Sequence, residues 1–90
     1  MAIQRTVLIT NKRGLHARAS AKFVTLASTQ PTEVTVEKDG AGSVTGTSIM
    51  GLMMLGAAMG DSIVISADGD GAEAAVGALC ELVEAKFGED

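Results

Sequence analysis

The chain's only histidine, His16, lies in the run Gly14-Leu15-His16-Ala17-Arg18. Four of its seven basic residues, Lys12, Arg13, Arg18 and Lys22, fall within six positions of that histidine. A neutral imidazole is a nucleophile and can carry a covalent group. Surrounding positive charge favours the neutral ring near neutral pH and would then hold an anion attached to it. The pattern therefore points to phosphoryl chemistry on His16, with Arg18 close enough to add a charge-assisted, bidentate contact. A histidine that simply packs at a helix start has the same spacing, and cations gathered on a solvated face would look alike.

Such chemistry requires a strand that delivers the histidine to a helix N-terminus. Ile3 to Thr10 alternates, with Ile3, Val7 and Ile9 on one face, and reads as a strand. Asn11-Lys12-Arg13-Gly14 reads as a turn, and Gly14 permits a tight one that exposes the ring. A helix is predicted from His16 to Ser28, its apolar side including Ala19, Phe23, Val24, Leu26 and Ala27. Unpaired amides at its start, those of Ala17 and Arg18, would face an anion on the imidazole. Ser20, one turn on, is expected to be a polar helix residue.

The remaining elements follow from the same periodicities. Glu33 to Lys38 alternates around Val34 and Val36, Asp39-Gly40 signals a hairpin, and a short return strand covers Ser43 to Thr45. Thr47-Ser48 offers an N-cap to a short apolar helix, Ile49 to Leu55. Asp61 to Ala67 reads as a fourth strand. A last helix is predicted from Ala72 to Phe87, with Ala72, Ala75, Val76, Leu79 and Val83 on one buried face. The expected fold is α/β of the α+β kind: an open-faced sandwich, order β-α-β-β-α-β-α. Its four-stranded antiparallel sheet is covered on one face by three helices, and residues 1–90 form one domain.

Composition removes several function classes. The chain has 90 residues and is 47% hydrophobic, so wholesale disorder is excluded; two Phe, no Trp and no Tyr weigh against base-stacking nucleic-acid binding. Residues 1–32 carry five basic side chains and no acid, whereas residues 33–90 carry eleven acids against Lys38 and Lys86. The formal net charge of −4 thus hides a basic first third, and nucleic acid would need a broader basic surface. One Cys and one His leave no multi-ligand metal motif, and Asp68-Gly-Asp70-Gly lacks the acids of a calcium loop. The longest apolar stretch, Ile49 to Met59, is about half of the roughly 20 residues a membrane span needs. With no secretory signal visible and Cys80 as the lone cysteine, the expected compartment is the cytoplasm. Cys80 should pack as a small apolar group.

Two further features sit on the short helix. Capping alone accounts for Ser48. Leu52 and Leu55 are expected in the core, whereas Ile49, Met50 and Met53 are expected at the surface, where flexible methionines suit partner docking. A methionine-filled core is the competing reading.

Together, Gly14-Leu15-His16-Ala17-Arg18 and Ser48-Ile49-Met50-Gly51-Leu52, at this separation, resemble the HPr family. These are the histidine phosphocarriers of the phosphoenolpyruvate-dependent phosphotransferase system, and the resemblance spans essentially the whole chain. It implies a four-stranded antiparallel sheet under three helices and a phosphoryl group carried on His16 with Arg18 as partner. It also implies that the group comes from enzyme I and passes to a histidine of an EIIA protein, with no cofactor or metal, in a cytoplasmic monomer. Ser48 would match the serine modified by HPr kinase/phosphorylase, and the helix bearing Ile49, Met50 and Met53 would meet partners. Ala19 stands where the family usually has proline, and in this the chain is similar to regulatory, nitrogen-related members and to alphaproteobacterial ones. The alternative reading is a regulatory adaptor, switched by phosphorylation of Ser48 and His16 without onward transfer.

Overall fold

The structure, a computed structural model, describes residues 2–89. Its elements run β1 (Ala2–Leu8), α1 (Ala17–Ala27), β2 (Val34–Lys38), β3 (Gly42–Thr45), α2 (Ile49–Met54), β4 (Ser62–Asp68) and α3 (Ala72–Glu84), then a 3₁₀ turn (Lys86–Gly88). The four strands form one antiparallel sheet in the order β1-β4-β2-β3. Alternation decides its faces. Val7, Val34, Val36, Ile63, Ile65 and Ala67 are buried, whereas their neighbours Thr6, Glu37 and Ser62 are exposed. The helices close over the apolar face, as the one-sided pattern predicts.

Each helix offers the stripe its spacing predicts. α1 buries Ala19, Phe23 and Ala27, one turn apart, while Val24 and Leu26 are half-buried. α3 buries all five expected residues together with Cys80. Burial pushes the Cys80 thiol pKa up, so it sits in the core as a neutral, apolar group. Leu52 of α2 and Leu55, the residue that caps its C-terminus, turn inward.

One boundary differs in a way that matters. The last helix ends at Glu84 and not at Phe87. Lys86 and Phe87 adopt left-handed backbone, with φ of +59° and +56°. That conformation is unfavourable for side-chain-bearing residues, and the wholly buried Phe87 ring is the packing gain that offsets it. The reversal turns the chain end back toward the start of α1.

The first strand is also shorter than its apolar pattern, although its pairing continues. The Ile9 amide donates to the Asp61 carbonyl at 2.8 Å, and the Gly60 amide donates to Ile9 at 2.8 Å. The Leu15 amide then donates to the Ala57 carbonyl at 2.9 Å. The backbones approach so closely here that a Cβ on Gly14, whose φ is +62°, would lie 2.4 Å from the Ala57 oxygen. Gly14 is required both for its dihedral and for the missing side chain.

These two requirements can be separated. Gly40 also has positive φ, but nothing lies within 4 Å of where its Cβ would be. Gly40→Ala should therefore cost only the left-handed backbone, about 1 kcal/mol. Gly14→Ala should lose a further ~1–3 kcal/mol from overpacking in denaturant titrations. Equal losses would show that the approach to Ala57 does not constrain the fold.

Candidate functional site

The β1–α1 turn is built around a buried asparagine. Asn11 is fully buried; its Nδ2 donates to the Gly14 carbonyl at 2.8 Å, and its backbone carbonyl accepts from the Gly14 amide at 3.2 Å. Leu15 is buried and held to Ala57. Backbone contacts thus clamp the segment entering His16, and α1 begins at Ala17 with His16 as its N-cap in extended conformation (φ −73°, ψ −179°). The His16 carbonyl accepts the Ser20 amide at 2.9 Å. Its side chain caps nothing, and the first turn of α1 holds no acid. Ser20 is a helix residue as expected, but a buried one, whose hydroxyl donates to the Leu15 carbonyl at 3.2 Å.

The imidazole is less open than the glycine turn implies. Nε2 lies 2.6 Å from Oε2 of Glu89, and the two side chains are only 15% and 17% exposed. The other oxygen of Glu89, Oε1, accepts from Asn11 Nδ2 at 3.1 Å. Lys22 Nζ donates to the Phe87 carbonyl at 2.7 Å and fastens the turn that delivers Glu89. Partial burial pushes the Glu89 carboxyl up. The hydrogen bonds from Asn11 and His16, and the charges of His16 and Lys22, outweigh that and hold it below the usual glutamate range.

The basic cluster does converge. Lys12, Arg13, Arg18 and Lys22, with Gly88 and Glu89, line an open basin of about 390 Å³. All four cations are exposed. The surroundings of His16 are nonetheless not uniformly positive, because a carboxylate from 73 positions away touches the ring. No local signal identifies Glu89 as a partner, and Asn11 looks like an ordinary turn former. Among the described residues no cluster of His, Cys, Asp and Glu could hold a metal ion.

A second surface lies on α2, which packs against α1. Ser48 caps α2, its Oγ accepting from the Gly51 amide at 2.9 Å. Ile49, Met50 and Met53 are exposed as expected. Met54 and Met59 are exposed as well, at 77% and 58%. Met54 was legible, because it follows Met50 by four residues and shares its face.

The family profile described as "PTS HPr component phosphorylation site" matches residues 3–85. This chain belongs to the HPr family. The phosphocarrier protein NPr of Shewanella violacea is 44% identical over 87 residues, covering 97% of this chain and 94% of the relative. The phosphocarrier protein HPr of Neisseria meningitidis is 47% identical over 87 residues, covering 97% of both. The crystal structure of HPr-C-His from Thermoanaerobacter tengcongensis superposes with a TM-score of 0.91 at 46% identity, covering 98% of both chains. The family's proteins are phosphocarriers of the phosphotransferase system, and the fold expected from the sequence is theirs. Glu89, which touches the imidazole, lies beyond the matched residues.

The lowered Glu89 carboxyl gives stability a definite pH dependence. A group whose folded pKa is depressed stabilises the fold above its unfolded value and loses that contribution as pH falls through the folded one. Wild type should therefore be more stable than Glu89→Gln near neutrality. The gap should close on acidification below the ordinary glutamate value of 4.5. Thermal melts of both proteins across that range check this, and a gap independent of pH would contradict it.

Proposed function

We propose that this chain is a phosphocarrier that accepts a phosphoryl group from phosphorylated enzyme I on His16 and passes it to a histidine of an EIIA protein. The observation that carries the reading is the histidine at the start of α1, beside a basin lined by four exposed cations. The step is a displacement at phosphorus. A ring nitrogen of His16 forms a bond to phosphorus while the bond to the donor's histidine nitrogen breaks, and onward transfer repeats this with His16 as the leaving group. Nε2 is engaged by Glu89, so Nδ1 is the nitrogen available to attack. The Ala17 and Arg18 amides, at the positive end of α1, and the Arg18 guanidinium offer donors to the arriving oxygens. The family's kinship with both NPr and HPr proteins supports this chemistry, and purified acceptors distinguish nitrogen-type regulation from sugar transport. The carrier acts as a monomer in the cytoplasm. Among the described residues no helix is long and apolar enough to cross a membrane.

The test is labelling from phosphoenolpyruvate through enzyme I. Wild type should gain acid-labile, alkali-stable phosphate, and His16→Ala should gain none. Arg18→Ala should label more slowly by about tenfold, the ~1.4 kcal/mol scale of one solvent-screened, charge-assisted contact. Label on His16→Ala, or none on wild type while a control carrier is labelled, would end this reading.

A regulatory role for Ser48 goes with it. Ser48 begins the helix that exposes Ile49, Met50 and Met53, the surface on which enzyme I and EIIA would dock. A phosphoryl group added there by a kinase of the HPr kinase/phosphorylase type would bring charge into an apolar contact. Ser48→Asp should raise KM for enzyme I by about tenfold, or ~1.4 kcal/mol of lost binding, and leave kcat unchanged. A fall in kcat alone would place the effect at His16 and not at docking. In the adaptor alternative, tight binding of another protein follows the phosphorylation state of these two residues without transfer.

A further inference from the structure

We propose that Glu89 is a positioning residue: its carboxylate fixes the proton of the neutral His16 ring on Nε2 and thereby keeps the Nδ1 lone pair free. The consequence for transfer rests on the phosphocarrier reading, whereas the choice of tautomer does not.

The argument begins with donor and acceptor chemistry. An ionised carboxylate can only accept hydrogen bonds. A 2.6 Å contact between Glu89 Oε2 and His16 Nε2 therefore requires the hydrogen on Nε2. A neutral imidazole carries one ring hydrogen, so Nδ1 is left with its lone pair. The hydrogen bond from Asn11 and the charge of Lys22 favour the ionised acceptor whether or not the ring is charged.

The carboxylate is held firmly enough to impose that choice. Its other oxygen accepts from Asn11, whose amide group is itself tied to Gly14. The residues leading to it are anchored by the buried Phe87 ring and by Lys22 on the Phe87 carbonyl. Left-handed backbone at both Lys86 and Phe87 costs energy, and it is this reversal that brings Glu89 to the ring. A carboxylate that orients an imidazole through its far nitrogen is a recurrent device for selecting a tautomer.

The same contact suits the loaded state. When Nδ1 bonds to phosphorus and the donor's P–N bond breaks, the proton on Nε2 stays where it is. The loaded ring is then positively charged, and Glu89 pairs with that charge while the basin's cations face the phosphoryl oxygens. The ring keeps one orientation through loading and unloading.

The test compares wild type, Glu89→Ala and Glu89→Gln. Two-bond ¹H–¹⁵N correlation spectra of the imidazole, taken above its titration, should show only the Nε2–H form in wild type. Glu89→Ala should show a measurable Nδ1–H fraction. Glu89→Gln offers one oxygen to two donors, His16 Nε2–H and Asn11 Nδ2, so its Nδ1–H fraction should fall between those of wild type and Glu89→Ala. Phosphorylation by enzyme I should slow in Glu89→Ala by about tenfold in kcat with KM unchanged, well short of the ~10⁴ lost from a buried catalytic triad. An unchanged tautomer in Glu89→Ala would overturn the proposal. So would faster phosphorylation, which would mark Glu89 as an anion that merely fills the basin. If the tautomer shifts as expected but wild type takes no label, the phosphocarrier reading falls and Glu89's hold on the ring stands.

Discussion

At Gly14 the main chain runs so close to Ala57 that no side chain fits between them, and the placement of His16 depends on this approach. The β1–β4 ladder does not stop at the sheet edge. It continues as a seam through Ile9, Gly60 and Asp61, and ends in the bond from Leu15 to Ala57. That seam joins the loop before α1 to the loop after α2. The histidine and the exposed face of α2 are therefore parts of one rigid surface, although more than thirty residues separate them. A partner docked on α2 would meet His16 in a fixed relation, as in-line transfer between two proteins would require.

A second constraint comes from the small number of large side chains. With two Phe, no Trp and no Tyr, the core depends on where those two rings go. Phe23 is wholly buried from α1, and Phe87 is wholly buried from the 3₁₀ turn after α3. Burial of Phe87 is what pulls the chain end across the sheet-covering layer to the start of α1. Packing thus accounts for a feature of the site: Glu89 reaches His16 because Phe87, two residues earlier, is buried.

Elements with strong periodicity were legible from the residues. The alternation of Val34 and Val36, the Ala19–Phe23–Ala27 stripe and the Ser48 cap each identify an element within a residue or two of its observed bounds. These signals are local, since each depends on neighbours one turn or one pleat away. The convergence of Lys12, Arg13, Arg18 and Lys22 was legible for the same reason. The end of α3 was not. Ala85, Lys86 and Phe87 continue a helical pattern, and only the tertiary gain from burying Phe87 reverses the backbone there. Glu89 was invisible for a related reason: a contact across 73 positions leaves no spacing to read. Asn11 misled in a different way. Asparagine in a turn is usually explained by its own backbone, whereas here it is fully buried and its side chain bridges Gly14 and Glu89.

The charge pattern acquires a sharper meaning once the tail is in place. The basic third of the chain concentrates its cations around one basin, and the acids of the remainder discourage phosphate elsewhere on the surface. Yet Lys12, Arg13, Arg18 and Lys22 are all exposed, and exposed charges each contribute little once screened. A buried cage of the same residues would hold an anion far more tightly. For a carrier that would be a fault, since a group bound strongly in the loaded state raises the barrier to handing it on. In the proposed carrier, the cations that would face the oxygens are exposed and screened, while Glu89, which would orient the ring, is sheltered and hydrogen-bonded. On that reading, orientation would be rigid where the imidazole keeps one geometry, and attraction mild where the phosphoryl group would leave.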